Sequence, residues 1–272
     1  MKAEDASKLA TSALEKLAQA LEAGHSDALT AYLAAAARFH SYSFRNVMLI
    51  ASQRPDATRV AGFNAWRKLG RFVKKGEKGI AIIAPIVFKR ADEAAGSDDE
   101  RAGDVQLRFK VAHVFDYSQT DGTALPELGE TAGDPGAYTL RVVAFIASLG
   151  IALDYADDLD GADGVSKKGQ IVIRSGLTPA TEFSVLVHEV AHELIHHGPT
   201  RQGTKTSREL EAEAVAFTVC TGIGLETGTA SADYIGLYNG DAELLAQSLD
   251  AIQRTASQIL QAISPGRVEQ WR

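Results

Sequence analysis

Cysteine is almost missing from this chain. Cys220 is the only one among 272 residues, so no internal disulfide can form and no zinc module can be built on several thiolates. A transition metal would have to be held by histidine and carboxylate, and such thiol usage fits a reducing cytosol. Long apolar runs are missing too: none approaches the roughly 20 residues needed to span a bilayer. The opening Met1-Lys2-Ala3-Glu4-Asp5-Ala6 lacks the apolar core of a signal peptide. The expectation is a soluble, cytoplasmic protein with no membrane partner. With only 7 prolines and no compositional bias, collagen-like and low-complexity classes are excluded. The length is enough for two compact domains, each with its own core.

Positive charge is scarce over most of the chain, whose net charge is -7. Residues 38–90 invert that sign: Arg38, Arg45, Arg54, Arg59, Arg67, Lys68, Arg71, Lys74, Lys75, Lys78, Lys89 and Arg90 face only Asp56 and Glu77. The cations are interleaved with Tyr42, Phe44, Phe63, Trp66 and Phe72, the mixture that tracks a phosphate backbone while stacking unpaired bases. No helix in the window clusters Arg, Asn and Gln at one end for reading a major groove, which favours single strands and little sequence specificity. The expected contacts with single-stranded DNA are Tyr42, Phe44, Arg45, Arg54, Trp66, Arg67, Lys68, Arg71, Lys74, Lys75 and Lys78. The competing account puts the aromatics in the core and leaves the lysines as a solvated face.

Apolar periodicity predicts helices over 6–21, 27–37 and 43–53, then strands near Val60, over 79–84 and over 106–116. Residues 91–104 are acidic and aperiodic, an exposed insertion. Pro126 to Pro135 is the expected linker, dividing the chain into domains 1–125 and 136–272. Beyond it come a helix to Leu149, strands at 151–155 and 170–174 around a Gly- and Asp-rich turn, and helices over about 178–197, 207–222, 231–239 and 241–263. The fold class is therefore α+β, a helical first domain with a small antiparallel sheet and a mainly helical second one.

His188-Glu189-Val190-Ala191-His192 sets two imidazoles four residues apart on one helix face, where both can reach one ion, with Glu189 beside them as general base. Zinc at such a site activates water for amide hydrolysis, and it needs three protein ligands and an open position. The helix beginning at Ser207 offers Glu209, Glu211 and Glu213. Glu209 and Glu213 share a face, whereas Glu211 points about 160° away from a position two residues on. Glu213, followed by small residues that permit close packing, is the expected third ligand. One zinc per chain is expected, and manganese or cobalt would also suit two nitrogens and one oxygen. The motif recurs in an overlapping frame, His192-Glu193-Leu194-Ile195-His196. His188 and His196 lie about 12 Å apart along a helix, too far to share one ion. The first frame is preferred, and His196 and His197 are expected to be exposed residues at the helix end, where the dipole favours them.

These residues, with Ser43-Phe44-Arg45-Asn46, Gln53-Arg54-Pro55-Asp56-Ala57, Gly62-Phe63-Asn64-Ala65-Trp66, Lys74-Lys75-Gly76-Glu77-Lys78-Gly79 and Val114-Phe115-Asp116-Tyr117-Ser118-Gln119-Thr120, carry a resemblance spanning nearly the whole chain. The chain resembles the ArdC-type antirestriction proteins, related to the amino-terminal region of plasmid TraC-type primases. In the second half the resemblance rests on His188 to His192, on Glu209-Leu210 with Ala212-Glu213, and on Asp233-Tyr234-Ile235. It implies a single-stranded-DNA-binding domain followed by a zincin-like metallopeptidase domain, in proteins that protect incoming plasmid DNA during conjugation. It also implies Glu213 as the ligand, since the position of Glu211 can be apolar in the family, and Tyr234 as a catalytic group steadying the oxyanion. Tyr238 stands where the family pattern has tryptophan. Two other functions compete with a peptidase on an unknown protein substrate. One is a non-hydrolytic coat for DNA whose zinc domain is structural; the other is a peptidase that cleaves a repressor.

Overall fold

The computed structural model describes residues 2–88, 106–123, 134–197, 204–225 and 241–264. Helices α1 (Ala3–Glu22), α2 (Ser26–Arg38) and α3 (Phe44–Gln53) come first, followed by β1 (Val60–Gly62), the short α4 (Phe63–Lys68), β2 (Arg71–Val73), β3 (Ile80–Phe88), β4 (Gln106–Asp116) and β5 (Thr120–Gly122). The second half runs α5 (Ala137–Ser148), β6 (Ala152–Ala156), β7 (Gly164–Ser166), β8 (Gln170–Arg174), α6 (Pro179–Ala191), a π-helical turn His192–His196, α7 (Lys205–Gly222) and α8 (Ala242–Ile263). The class is α+β, as the periodicity predicts. The expected insertion at 91–104 and the expected helix at 231–239 lie outside the described residues.

Among the described residues, three small sheets carry the strands. In the first, β4 lies between β1 and β3, all antiparallel, so β3 is an edge strand among the described residues. An open edge invites pairing with another chain, and here α3 blunts it. Asn46 donates from Nδ2 to the Ile83 carbonyl and accepts from the Ile83 N–H, both at 2.9 Å. One face-repeat further along α3, Gln53 does the same to Ala81, at 2.9 and 3.0 Å. Two side-chain amides thus stand in for a missing strand. In the second sheet β2 pairs with β5. Between β4 and β5 the turn hangs on Asp116. Its Oδ1 accepts from the N–H groups of Thr58 and Arg59, and its Oδ2 from the N–H and hydroxyl of Ser118. Burial opposes the charge of Asp116, but these hydrogen bonds outweigh it and hold the carboxyl below its ordinary value. Gln119 then ties the turn to the Lys-rich loop, donating to Glu77 and to the Lys78 carbonyl.

The third sheet has the order β6-β8-β7, with β6 parallel and β7 antiparallel to β8. The sequence pattern predicts only a turn at β7; a strand of 3 residues with no apolar alternation carries no periodic signal. The expected domain boundary lies at 126–135, of which 126–133 fall outside the described residues. Buried residues on both sides of it form one apolar cluster, from Leu29, Leu33 and Val47 to Val187, Val215 and Ile252. Helix α8 packs on α1, α3, α5 and α7, and α2 packs on α7. Gln253 of α8, 2% exposed, donates to the carbonyls of His40 and Tyr42.

Candidate metal centre and nucleic-acid face

Helix α6 starts on a Thr178 cap whose hydroxyl accepts the Thr181 N–H, with Pro179 in the first turn, where its missing N–H costs nothing. Phe183, Leu186, Val187 and Val190 bury one side of the helix and aim His188 and His192 at α7. Helix α7 begins one turn earlier than its sequence suggests, capped by Thr204 rather than Ser207, with Thr204 Oγ1 accepting the Ser207 N–H. The two histidines and Glu209 then converge: Nε2 of His188 lies 3.1 Å from Nε2 of His192, and Oε2 of Glu209 is 3.4 Å from each. A tetrahedral ion with bonds of about 2.0–2.1 Å spaces its donors by about 3.3–3.4 Å. The three atoms therefore already form, within a few tenths of an ångström, one face of a metal polyhedron.

Glu209, not Glu213, closes this set, in which all donor atoms lie within 4.8 Å of one another. Glu213 is half-buried one turn further along the same face, near enough that its charge acts on His188. Glu211 points elsewhere, as its helical phase requires. Burial holds His188 below its ordinary pKa despite the opposing Glu209 carboxylate. Burial, followed by the charge of His188, does the same to His192. Both imidazoles are thus kept neutral with lone pairs available, the form a metal needs. The donor chemistry fits a divalent ion.

Glu189 is 6% exposed. Burial first, then the carboxylates of Glu209 and Glu193, push its carboxyl up to about 7, against a hydrogen bond from the Ser166 backbone. Strand β7 reaches it because Gly164 has no side chain: a Cβ there would come within 2.9 Å of Glu189 Oε1 and 2.6 Å of Val185. Glu193 fastens the same strand, accepting from the Ser166 hydroxyl at 2.6 Å and the Gly169 N–H at 2.8 Å.

His196 departs from expectation. It is 8% exposed, not an exposed end-cap, because α7 and α8 close over the π-helical turn and Glu211 meets its Nε2 at 3.0 Å. His197 is half-buried, 3.0 Å from Glu193, and accepts the Lys168 N–H. Tyr234 lies outside the described residues.

In the basic window the expected contacts divide. Arg45, Arg67, Lys68, Lys74, Lys75 and Lys78 are exposed. Arg54 is half-buried, paired with Asp56 and donating to Ser118. Tyr42 is half-buried, its hydroxyl donating to the Val60 carbonyl and pushed up to about 12 by burial. Phe44, Trp66 and Arg71 are corrected: all three are buried, at 7%, 0% and 4% exposure, and so cannot touch DNA. Trp66 donates to the Phe115 carbonyl, and Phe44 packs edge-on against Tyr32. Arg71 lies 4.0 Å from the Tyr117 ring and donates to Thr120 and to the carbonyls of Gly122 and Thr123. With Arg71 turned inward, its strand neighbour Phe72 faces out and is 59% exposed; Phe63, at the start of α4, is 49% exposed. The strand alternation of Arg71 and Phe72 carries this signal only when it is read against its usual polarity.

The fold is α+β, with a histidine–carboxylate donor triangle on packed helices and a basic face that exposes aromatic rings. Residues 7–115 match the family described as the N-terminal domain of anti-restriction factor ArdC. The antirestriction ArdC protein of plasmid R388 has a similar structure over 94% of this chain and 95% of its own in its metal-free form, with TM-score 0.53 and 20% identity. In its Mn(II)-bound form the likeness covers 95% and 99%, with TM-score 0.50 and 17% identity. An uncharacterized protein of Bacillus anthracis is 28% identical over 84% of this chain, which spans 46% of that relative's length. Over residues 7–115 the chain is thus similar to the ArdC N-terminal domain, and its fold is similar to that of the R388 ArdC protein.

Proposed function

We propose that this chain is an antirestriction protein that couples a single-stranded-DNA-binding face to a metal-dependent peptidase centre, protecting incoming plasmid DNA during conjugation. The spacing of the three donor atoms of His188, His192 and Glu209 beside a buried Glu189 carries this reading. Two imidazole nitrogens and one carboxylate oxygen are a catalytic zinc set, and the same donors accept manganese, the ion in the R388 ArdC structure. Bound there, the ion would lower the pKa of a coordinated water towards 7. Glu189, with a carboxyl that titrates near 7, is placed to accept a proton from water and return it to a leaving amine. Strand β7 pairs with β8 alone among the described strands, and its other edge can take an extended peptide beside Glu189. Phe63, Phe72 and the exposed lysines of the 74–78 loop supply stacking surfaces and phosphate contacts.

The test is zinc and manganese per chain, by elemental mass spectrometry, on the wild type and on Glu209→Ala, Glu211→Ala and Glu213→Ala. The expected result is one ion per wild-type chain, lost in Glu209→Ala and kept in Glu213→Ala. An absence of metal after metal-replete purification would leave only the DNA-binding half of the proposal.

A further inference from the structure

A line of buried contacts runs away from the donor triangle, and the proposed reaction makes no use of it. Nε2 of His192 faces His188 and Glu209, while its other nitrogen, Nδ1, lies 2.9 Å from Nδ1 of His196. His196 turns its own Nε2 to Oε2 of Glu211 at 3.0 Å. The other carboxylate oxygen of Glu211 accepts the hydroxyl of Ser248, on α8, at 2.6 Å. His196, Glu211 and Ser248 are 8%, 2% and 1% exposed, so water does not compete for these positions.

With Glu211 ionised, the order of donors along this line has one self-consistent form. An ionised carboxylate only accepts hydrogen bonds, and a neutral imidazole has one N–H and one lone pair. Glu211 therefore calls for the His196 proton on Nε2, which leaves a lone pair on His196 Nδ1. The close Nδ1 to Nδ1 contact then needs a donor, and only His192 can supply it. With its proton on Nδ1, His192 presents the lone pair of Nε2 to His188 and Glu209. We propose that Glu211 and His196 are positioning residues that fix the tautomer of His192, committing its Nε2 as a metal donor, with Ser248 holding Glu211 in register. This rests on His192 being a ligand in the proposed centre. The arrangement parallels the general rule that a ligating histidine hands its second N–H to a partner that sets its orientation, here with an imidazole interposed before the carboxylate. The π-helical turn over His192–His196 brings the two rings to 4.9 Å between centroids.

The experiment uses the full chain labelled with 15N-histidine and stripped of metal by chelation. Long-range proton–nitrogen correlation spectra report which ring nitrogen carries the proton. The expected pattern is His192 protonated on Nδ1, against the usual preference of free histidine, and His196 protonated on Nε2. A wild-type His192 protonated on Nε2 overturns the proposal, and this needs no variant to fold. Zinc affinity by chelator competition is the second measurement. His196→Leu and Glu211→Leu should lose about 10- to 100-fold. His196→Asn, whose amide oxygen accepts the Nδ1 proton from a similar place, should stay close to wild type. Equal affinity in His196→Leu and wild type overturns the proposal. A wild type that binds neither zinc nor manganese but shows the expected tautomers would remove the metal reading and leave the tautomer lock standing.

Discussion

Replacing Glu189 with glutamine should make the metal-free protein more stable at pH 8 and leave it nearly unchanged at pH 4.5. The folded carboxyl titrates at about 7, raised by burial and then by Glu209 and Glu193, from an ordinary value of 4.5 in the unfolded chain. Between those values the folded state keeps a proton that the unfolded state has released. Stability from this group is therefore fully present below about 4.5 and is lost as pH rises through about 7. A tenfold change in proton affinity is worth about 1.4 kcal/mol, so the interval amounts to at most about 3.5 kcal/mol, with about 1 to 3 kcal/mol expected after local relaxation. Glutamine keeps the shape, can still accept the Ser166 N–H and never carries the charge. His188 and His192 titrate with the opposite sign: both are held below their ordinary value, so their contribution grows as pH rises towards 6.5. They are present in both proteins and largely cancel in the difference. The assay is urea unfolding of chelator-treated wild type and Glu189→Gln across this pH range. A stability difference that stays flat, or in which glutamine becomes the less stable with rising pH, would refute the account of a buried carboxylate held near neutrality.

Trp66→Ala should cost about 3–5 kcal/mol of stability, measured by denaturant unfolding, because it empties a fully buried site and removes a donor to the Phe115 carbonyl. Phe72→Ser should leave stability nearly unchanged and weaken single-stranded-DNA binding by about 1–3 kcal/mol. Fluorescence anisotropy in that experiment should show wild-type affinity falling with salt, at a slope of about -0.7 per phosphate neutralised; a salt-independent affinity would sink the basic face. Gln53→Ala should cost about 1–3 kcal/mol by removing both partners of Ala81 on the exposed edge of β3. Gly164→Val should displace Glu189 and, on the proposed peptidase reading, abolish turnover while metal content per chain stays the same, since the new side chain collides with Glu189 and not with His188, His192 or Glu209.

Several residues of the motifs that carry the resemblance to ArdC-type proteins, together with Arg71, hold the fold and lie away from the donor triangle. Asn46 and Gln53 close a sheet edge, Asp116 and Gln119 pin a turn, and Arg71 locks β2 to β5 through Thr120. Gln119 also fixes the loop that presents Lys74, Lys75 and Lys78. Lys74 itself is tethered to the Ser118 carbonyl at 3.0 Å.

The sequence by itself determined what local periodicity can encode. The four-residue spacing puts His188 and His192 on one helical face, and the helical phase separates Glu211 from Glu209 and Glu213. Apolar repeats placed most of the longer helices, and a single cysteine restricted the metal donors to histidine and carboxylate. Tertiary packing decided which neighbour meets each face. Glu209 and Glu213 are equivalent by phase, and only the approach of α7 to α6 sets Glu209 between the two imidazoles. His196 is an ordinary helix-end residue until α7 and α8 cover it and supply Glu211 and Ser248. In β2 the alternation marks two faces without saying which is inside, and the ring of Tyr117 with the carbonyls after it draws Arg71 in and leaves Phe72 in solvent. The physical reason is the same in each case: backbone geometry fixes a side chain's direction about its own axis, while its partners come from segments far along the chain.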